Sequence, residues 1–259
     1  MIFPNSIEDL KRLINSGTPI INSGNNNIIV IKNRKKKYVL KKYFNETLRL
    51  KREIYFLNYC KLINYKNCPK IIYYSEKLNY SILNYIDGEP LSNSKKTNKN
   101  LIEAYQAFIN SINCNSSFDY KMTAKESAFS IKQHLSIIKS RLDLYLGLSK
   151  KISNDCFEIL SLLNFQFNLL VKKNHKELRN LSNMINPIIS PSDVGFHNTL
   201  FNDKEYFFVD FEYSGLDDPA KMICDFFLQP RFEFNLNDSE SFTNNLIFSN
   251  DIIKNRVRI

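Results

Sequence analysis

Apolar and polar positions alternate between two spacings along the chain, and the switches mark its elements. Residues 5–16 read as a short amphipathic helix; Asn5 or Ser6 can cap it, and Glu8 and Asp9 lie in its first turn. The turn-forming cluster S-G-N-N-N (23–27) follows. Next come the β-branched and aromatic runs I-I-V-I-K (28–32) and K-K-Y-V-L-K-K-Y-F (36–44), which predict an antiparallel hairpin around N-R-K. Residues 46–64 carry apolar side chains at helical spacing. I-I-Y-Y-S (71–75) and Y-S-I-L-N-Y-I (80–86) predict two more strands joined by E-K-L-N. The first third is therefore strand, strand, helix, strand, strand.

Residues 87–98, D-G-E-P-L-S-N-S-K-K-T-N, read as a polar, turn-rich linker. Helical spacing then returns over 99–113, about 124–147 and about 152–184. Near 187 the pattern flips again, to a short strand, a loop (P-S-D-V-G-F-H-N) and a hairpin through N-D-K (202–204). A polar segment (234–246) precedes a last helix that begins near 246. No internal repeat is present.

Composition narrows the picture. The chain has 259 residues, enough for one large domain or two packed lobes, and 43% of them are apolar, as in ordinary globular proteins. No apolar run approaches the roughly 18 residues that span a bilayer. The start M-I-F-P-N-S lacks the basic and apolar regions of a signal peptide, so a cytoplasmic protein without a membrane partner is expected. Cys60, Cys68, Cys114, Cys156 and Cys224 are scattered and odd in number, which favours free thiols over disulfides or a metal.

The net charge of +10 raises the question of nucleic acid. Its distribution answers otherwise. Residues 1–185 carry 30 basic and 14 acidic side chains, whereas 186–240 carry 3 basic and 11 acidic. The basic surplus lies in Lys- and Asn-rich stretches without regular aromatics and reads as solvated surface, not as a nucleic-acid site.

The acidic block holds the candidate chemistry. Phosphoryl transfer depends on positioning and electrostatics: a carboxylate to orient the attacking hydroxyl, oxygen ligands for magnesium, and a lysine on the inner phosphates. Asp193 stands in a loop, Asn198 follows five residues later, and Asp210 comes at the end of the apolar run Y-F-F-V. Each alone suits a turn or a strand end. In this order and spacing they suit a base and two magnesium ligands, and no thiolate or histidine cluster competes.

The stretch S-P-S-D-V-G-F-H-N-T-L-F (190–201), with F-F-V-D-F-E-Y-S-G-L-D-D-P-A-K (207–221), resembles the catalytic core of the aminoglycoside phosphotransferase and choline kinase group. That group's pattern is H-G-D-x-x-x-x-N, then a strand, then D-[FW]-[ED]. The resemblance implies Asp193 as catalytic base, Asn198 as a magnesium ligand and Asp210 as the main one. Glu212 either supports the metal through water or faces solvent. Asp218 caps the following helix. Pro191 and Ser192 replace the usual His-Gly, marking a variant form, and His197 is expected to be structural.

The resemblance extends to the first third. V-L-K supplies Lys41 as the strand lysine that grips the α- and β-phosphates, with Lys42 on the other face. The helix after it offers Glu53 as its partner. The turn around Gly24 sits where a phosphate-covering loop belongs. In the strand at 80–86, the Asn84 carbonyl and the Ile86 amide would bind adenine.

The implied fold is α+β, two-lobed and protein-kinase-like: a small antiparallel-sheet N-lobe over 1–86, ending in the hinge 84–86, and a mainly helical C-lobe over 87–259. The implied activity is transfer of the γ-phosphoryl of ATP, with magnesium, to a hydroxyl of a small molecule. The acidic block favours a cationic alcohol such as choline or an aminoglycoside; a sugar or nucleoside hydroxyl is equally open. Members of the group carry further helices after the D-D-P-A-K helix, so the stop at N-R-V-R-I implies a natural abbreviation or a fragment. That stop and the replaced His-Gly leave a rival reading, a non-catalytic kinase-like protein that binds nucleotide or a partner.

Overall fold

The computed structural model describes residues 3–20, 26–44, 47–91, 98–114, 119–180, 186–202, 204–229 and 235–258. Its first part contains β1 (Thr18–Pro19), β2 (Asn26–Asn33), β3 (Lys36–Tyr43), β4 (Ile71–Ser75) and β5 (Tyr80–Asn84). They form one five-stranded antiparallel sheet in the order β1-β2-β3-β5-β4. The hairpin of β2 and β3 closes through Arg34, whose φ of 54° supplies the left-handed turn.

Side chains alternate across β3, and this sorts the two faces of the sheet. Leu40 joins Ile29, Ile31 and Ile82 beneath Leu10 of α1 (Ile7–Ser16). Ser6 caps α1, its Oγ accepting from the Asp9 amide at 3.1 Å. Val39, Lys41 and Tyr43 face the other way, toward α2 (Thr47–Leu62). α2 buries Leu50, Glu53, Ile54, Phe56, Leu57, Tyr59 and Cys60. A carboxylate among these apolar side chains requires a partner, since an isolated buried charge is costly.

The second part comprises β6 (Glu89–Pro90), α3 (Asn98–Asn113), α4 (Ile131–Ser149), α5 (Asn154–Lys173), α6 (His175–Asn180), β7 (Ile188–Ser190), β8 (Thr199–Phe201), β9 (Tyr206–Phe208), β10 (Gly215–Asp217), α7 (Pro219–Phe227), α8 (Leu236–Asn244) and α9 (Asp251–Arg258). β6, β8 and β9 form a three-stranded sheet, and β7 pairs with β10. An aromatic core joins the two parts. Phe56 of α2 stacks on Phe211 at 4.5 Å between centroids, Phe108 on Phe208 at 4.8 Å, and Tyr105 on Phe226 at 4.0 Å. The fold is thus mixed, with an antiparallel sheet in the N-terminal part and helices dominating the C-terminal part, as expected. Among the described residues no helix is long and apolar enough to cross a membrane.

Four boundaries differ from the spacing-based expectation. The polar linker contains β6, which pairs with β8. The helix expected from 124 begins at Ile131, because the residues before it are tied to the chain around β10. The Ala124 amide donates to the Leu216 carbonyl at 3.0 Å, Leu216 returns a bond to Met122 at 2.8 Å, and Lys125 donates to Tyr213 at 3.0 Å. The helix expected over 152–184 is divided: α5 closes at Asn174, whose amide donates to the Leu170 carbonyl, and α6 follows. The polar segment 234–246 holds α8, capped by Asn235, and the last helix starts at Asp251 instead of near 246.

Gly215 permits the close approach of these backbones. A Cβ there would lie 2.2 Å from the Ala124 nitrogen and 2.3 Å from the Thr123 carbonyl carbon. Gly215→Ala is therefore expected to destabilise the fold by about 1–3 kcal/mol, read as a lowered midpoint in urea denaturation.

α4 and α5 pack mainly on each other as a helical hairpin. α5 buries none of its side chains and α4 buries only Ser149.

Candidate active site

β3 and α2 together place Lys41. Its Nζ lies 2.9 Å from Glu53 Oε2, and the two side chains are 3% and 1% exposed. The chain after β9 brings two more carboxylates to the same ammonium: Asp210 Oδ1 at 2.5 Å and Glu212 Oε2 at 3.1 Å. Burial alone would push the Lys41 ammonium down. The surrounding carboxylates, Asp210 first and then Glu53, outweigh it and hold Lys41 well above the ordinary lysine range. Burial pushes Glu53 up, against the pull of Lys41.

Glu53 is held by two further donors. The Tyr43 hydroxyl donates to Oε2 and also pairs with Ser81 Oγ at 2.9 Å, and the Phe211 amide donates to Oε1 at 3.3 Å. The Phe211 bond joins α2 to the segment carrying Asp210, and the stacking of Phe211 on Phe56 reinforces it. Asp210 has φ 66°, a left-handed backbone conformation uncommon for residues other than glycine, asparagine and aspartate.

The solvent-facing alternative for Glu212 is overturned. Its side chain is buried and accepts from Asn26 Nδ2 at 2.5 Å, with Arg49 Nη1 at 3.4 Å. These neighbours and Lys41 satisfy the carboxylate without solvent. Asn26 and Arg49 were not recognised from the sequence. Arg49 had a readable signal, standing four residues before Glu53 and so on the same face of α2. Asn26 had none, because its role depends on the pairing that brings Asn26 beside Tyr43.

The loop after β7 places the other two candidates. Asn198 ends a short 3-10 turn (Phe196–Asn198), and its Nδ2 donates to the Asp193 carbonyl at 2.7 Å. The Asn198 carbonyl accepts from the Val209 amide at 3.0 Å, one residue before Asp210. A continuous set of bonds therefore runs from Asp193 through Asn198 to the residue beside Asp210. The Asp193 carboxylate is half exposed and lies 3.2 Å from His197 Nε2. His197 thus sits against the candidate base itself. Ser192 has φ 65°. A left-handed backbone at this position explains why glycine is the usual residue in the resembling pattern.

Asn84 and Ile86 lie apart from this cluster. Asn84 ends β5 opposite Tyr38, three residues before Lys41 on β3, and its amide donates to the Lys70 carbonyl at 3.0 Å. Ile86 follows in the link to β6. Lys42 points away from Lys41, its Nζ donating to the Leu78 carbonyl. Residues 23–25 of the expected phosphate-covering turn, Gly24 included, fall outside the described residues.

Asp218 caps α7, accepting from the Ala220 amide at 2.8 Å, and is bonded by Arg256 of α9. A cleft of about 1020 Å³ opens beside Asp193, walled by α4, α6 and α7.

The oxygen donors suit a hard cation. Asn198 turns its nitrogen toward Asp193, which leaves its amide oxygen for a ligand, and Asp210 adds a carboxylate. Magnesium commonly takes one or two such protein oxygens and completes its shell with phosphate and water. Among the described residues no group of three or more histidine, cysteine, aspartate or glutamate side chains forms a cage for a metal held by protein alone.

No protein-family profile matches this chain, and no curated protein sequence does. Solved structures do. The gentamicin complex of APH(2'')-IIa is 16% identical with a TM-score of 0.63, matching 99% of this chain and 86% of its own. ADP-bound aminoglycoside phosphotransferase APH(2'')-Ib is 15% identical with a TM-score of 0.62, over 97% of this chain and 83% of its own. Choline kinase LicA from Streptococcus pneumoniae is 15% identical with a TM-score of 0.59, over 95% and 80%.

Proposed function

We propose that this chain, which has the protein-kinase-like fold of those phosphotransferases and kinases, is itself an ATP-dependent phosphotransferase acting on a hydroxyl of a small molecule. The observation that carries the proposal is the cluster of Lys41, Glu53 and Asp210, tied through Val209 and Asn198 to Asp193 at the edge of an open cleft.

In this reading residues 1–86 form the nucleotide lobe and 87–259 the catalytic lobe, with the nucleotide between them. The Asn84 carbonyl and the Ile86 amide bind adenine. Glu53 holds Lys41 so that its ammonium meets the α- and β-phosphates. Asp210 and Asn198 are the residues that would hold magnesium, which when bound neutralises charge on the β- and γ-phosphates. Asp193 orients the acceptor hydroxyl and takes its proton. The new bond forms between the acceptor oxygen and γ-phosphorus, the bond to the bridging oxygen breaks, and ADP leaves. Acidic and basic groups elsewhere on the surface need no nucleic-acid or membrane partner in this scheme.

A thermal-shift series with ATP, with and without magnesium, tests the nucleotide step. The expected result is a rise in melting temperature that depends on both ligands and grows with their concentration. No shift at millimolar ATP and magnesium would refute the reading. A shift without turnover on any hydroxyl compound would favour the non-catalytic rival.

A further inference from the structure

The charges around the cleft bear on what it accepts. Of the acidic residues in 186–240, only Asp193 and Asp225 line it among the described residues. The others nearest to it are spent inside the fold: Asp210 and Glu212 on Lys41, Asp217 on Lys221 at 3.1 Å, and Asp218 on Arg256. Two of the cleft's own carboxylates are engaged too. Glu126 pairs with Arg141 and Asp225 with Lys221, while Asp193, 3.2 Å from the His197 ring nitrogen, is the group that would receive the acceptor hydroxyl. Lys125, Arg141, Lys221 and Arg256 also line the wall, and Arg141, Lys221 and Arg256 are the partners of Glu126, Asp217, Asp225 and Asp218, so among these carboxylates Asp193 alone has no lysine or arginine partner in the ion pairs of the described residues.

An ammonium acceptor finds no better reception on the aromatic side. Tyr213 lines the cleft, but Lys125 Nζ already lies 4.7 Å from its ring centroid and Arg49 Cζ 5.3 Å. A second cation there would meet two like charges before it met the ring. What the wall does offer is apolar surface. Ile131, Leu135, Ile138 and Tyr145 of α4 face the cleft, joined by Leu178 of α6 and Leu228 of α7. Ile138 is 43% exposed and Tyr145 53%, so an occupant would remove substantial apolar area from water.

We propose that the acceptor is a hydroxyl compound with an apolar body and no positive charge. This rests on the phosphotransferase reading, and it departs from the expectation that the acidic block recruits a cationic alcohol. The apolar body would lie along α4, with its hydroxyl at Asp193.

The test is a turnover panel with radiolabelled ATP and magnesium. It spans compact neutral sugars, the same sugars as aryl or alkyl glycosides, apolar-bodied alcohols, choline and an aminoglycoside. Apolar-bodied, non-cationic compounds are expected to show kcat/KM at least about tenfold above choline, the aminoglycoside and the compact sugars. Ile138→Asp is expected to raise KM for the preferred acceptor about tenfold with a smaller change in kcat, the pattern of lost acceptor binding. Preference for choline or the aminoglycoside, or equal use of a sugar and its glycoside, would overturn the proposal. Turnover confined to the cationic or compact compounds overturns the acceptor inference alone, whereas failure of every compound with the magnesium-dependent ATP shift intact favours the non-catalytic rival and overturns both. Failure of the ATP shift removes the phosphotransferase reading as well.

Discussion

Asp193→Asn is expected to lower kcat for phosphoryl transfer by about 10²–10⁴-fold, the usual range for a positioned general base. The substitution keeps the side chain's size but removes its ability to take the hydroxyl proton. Asp193 is half exposed, and its backbone carbonyl, not its carboxylate, receives the bond from Asn198. The loop should therefore keep its shape, and the magnesium-dependent ATP shift should survive. Steady-state transfer assays, paired with nucleotide binding on the same preparation, would show this split. Unchanged turnover would remove Asp193 from the chemistry. Loss of nucleotide binding together with turnover would assign it a structural role instead.

Lys41→Met is expected to cost about 3–5 kcal/mol of folding stability in the nucleotide-free protein, because it leaves buried carboxylates without their cation. The loss has a pH signature. With its folded-state value raised above the ordinary lysine range, Lys41 contributes stability that is complete below that range and is lost as pH rises through the folded value. In the variant that alkaline loss is absent. Glu53, already pushed up by burial, also loses the charge that pulled it down. Its protonation then favours the folded state, so the stability it adds is present at acid pH and disappears as pH rises through its folded value. The deficit of Lys41→Met against the parent should therefore be larger at pH 7 than at pH 5 in urea denaturation. An equal deficit at both would mean that Lys41 and its carboxylates are not coupled as their distances indicate.

The strands and most helices of this fold were readable because their apolar periods match their geometry. β3 shows this directly: alternation alone separated Lys41 from Lys42 and put Leu40 in the core beneath α1. The motif around Asp193, Asn198 and Asp210 was readable as a spacing. The bonds that tie its parts together were not, since they run from Asn198 to the Asp193 carbonyl and from the Val209 amide to the Asn198 carbonyl. The burial of Glu212 was not readable because two of its satisfying partners, Asn26 and Lys41, lie far away in sequence and arrive only when the sheet forms. The boundary of α4 was misplaced for a related reason. Residues 122–125 have helical spacing, yet pairing with the chain around Gly215 claims their backbone first. The acidic block says little about the acceptor by itself, because a count of charges along a sequence does not say which of them are neutralised internally, as Asp210, Glu212, Asp217 and Asp218 are.

The helical hairpin of α4 and α5 bears on how such a protein changes over generations. Its side chains face the cleft or water far more than the interior, whereas Lys41 and Glu53 are embedded among apolar residues. Substitutions on the hairpin carry little thermodynamic penalty, while those around the ammonium are punished at once. Under the proposed function, selection can therefore retune what enters the cleft one residue at a time and leave the Lys41 cluster untouched, so descendants of one ancestor would diverge in diet long before they diverge in chemistry.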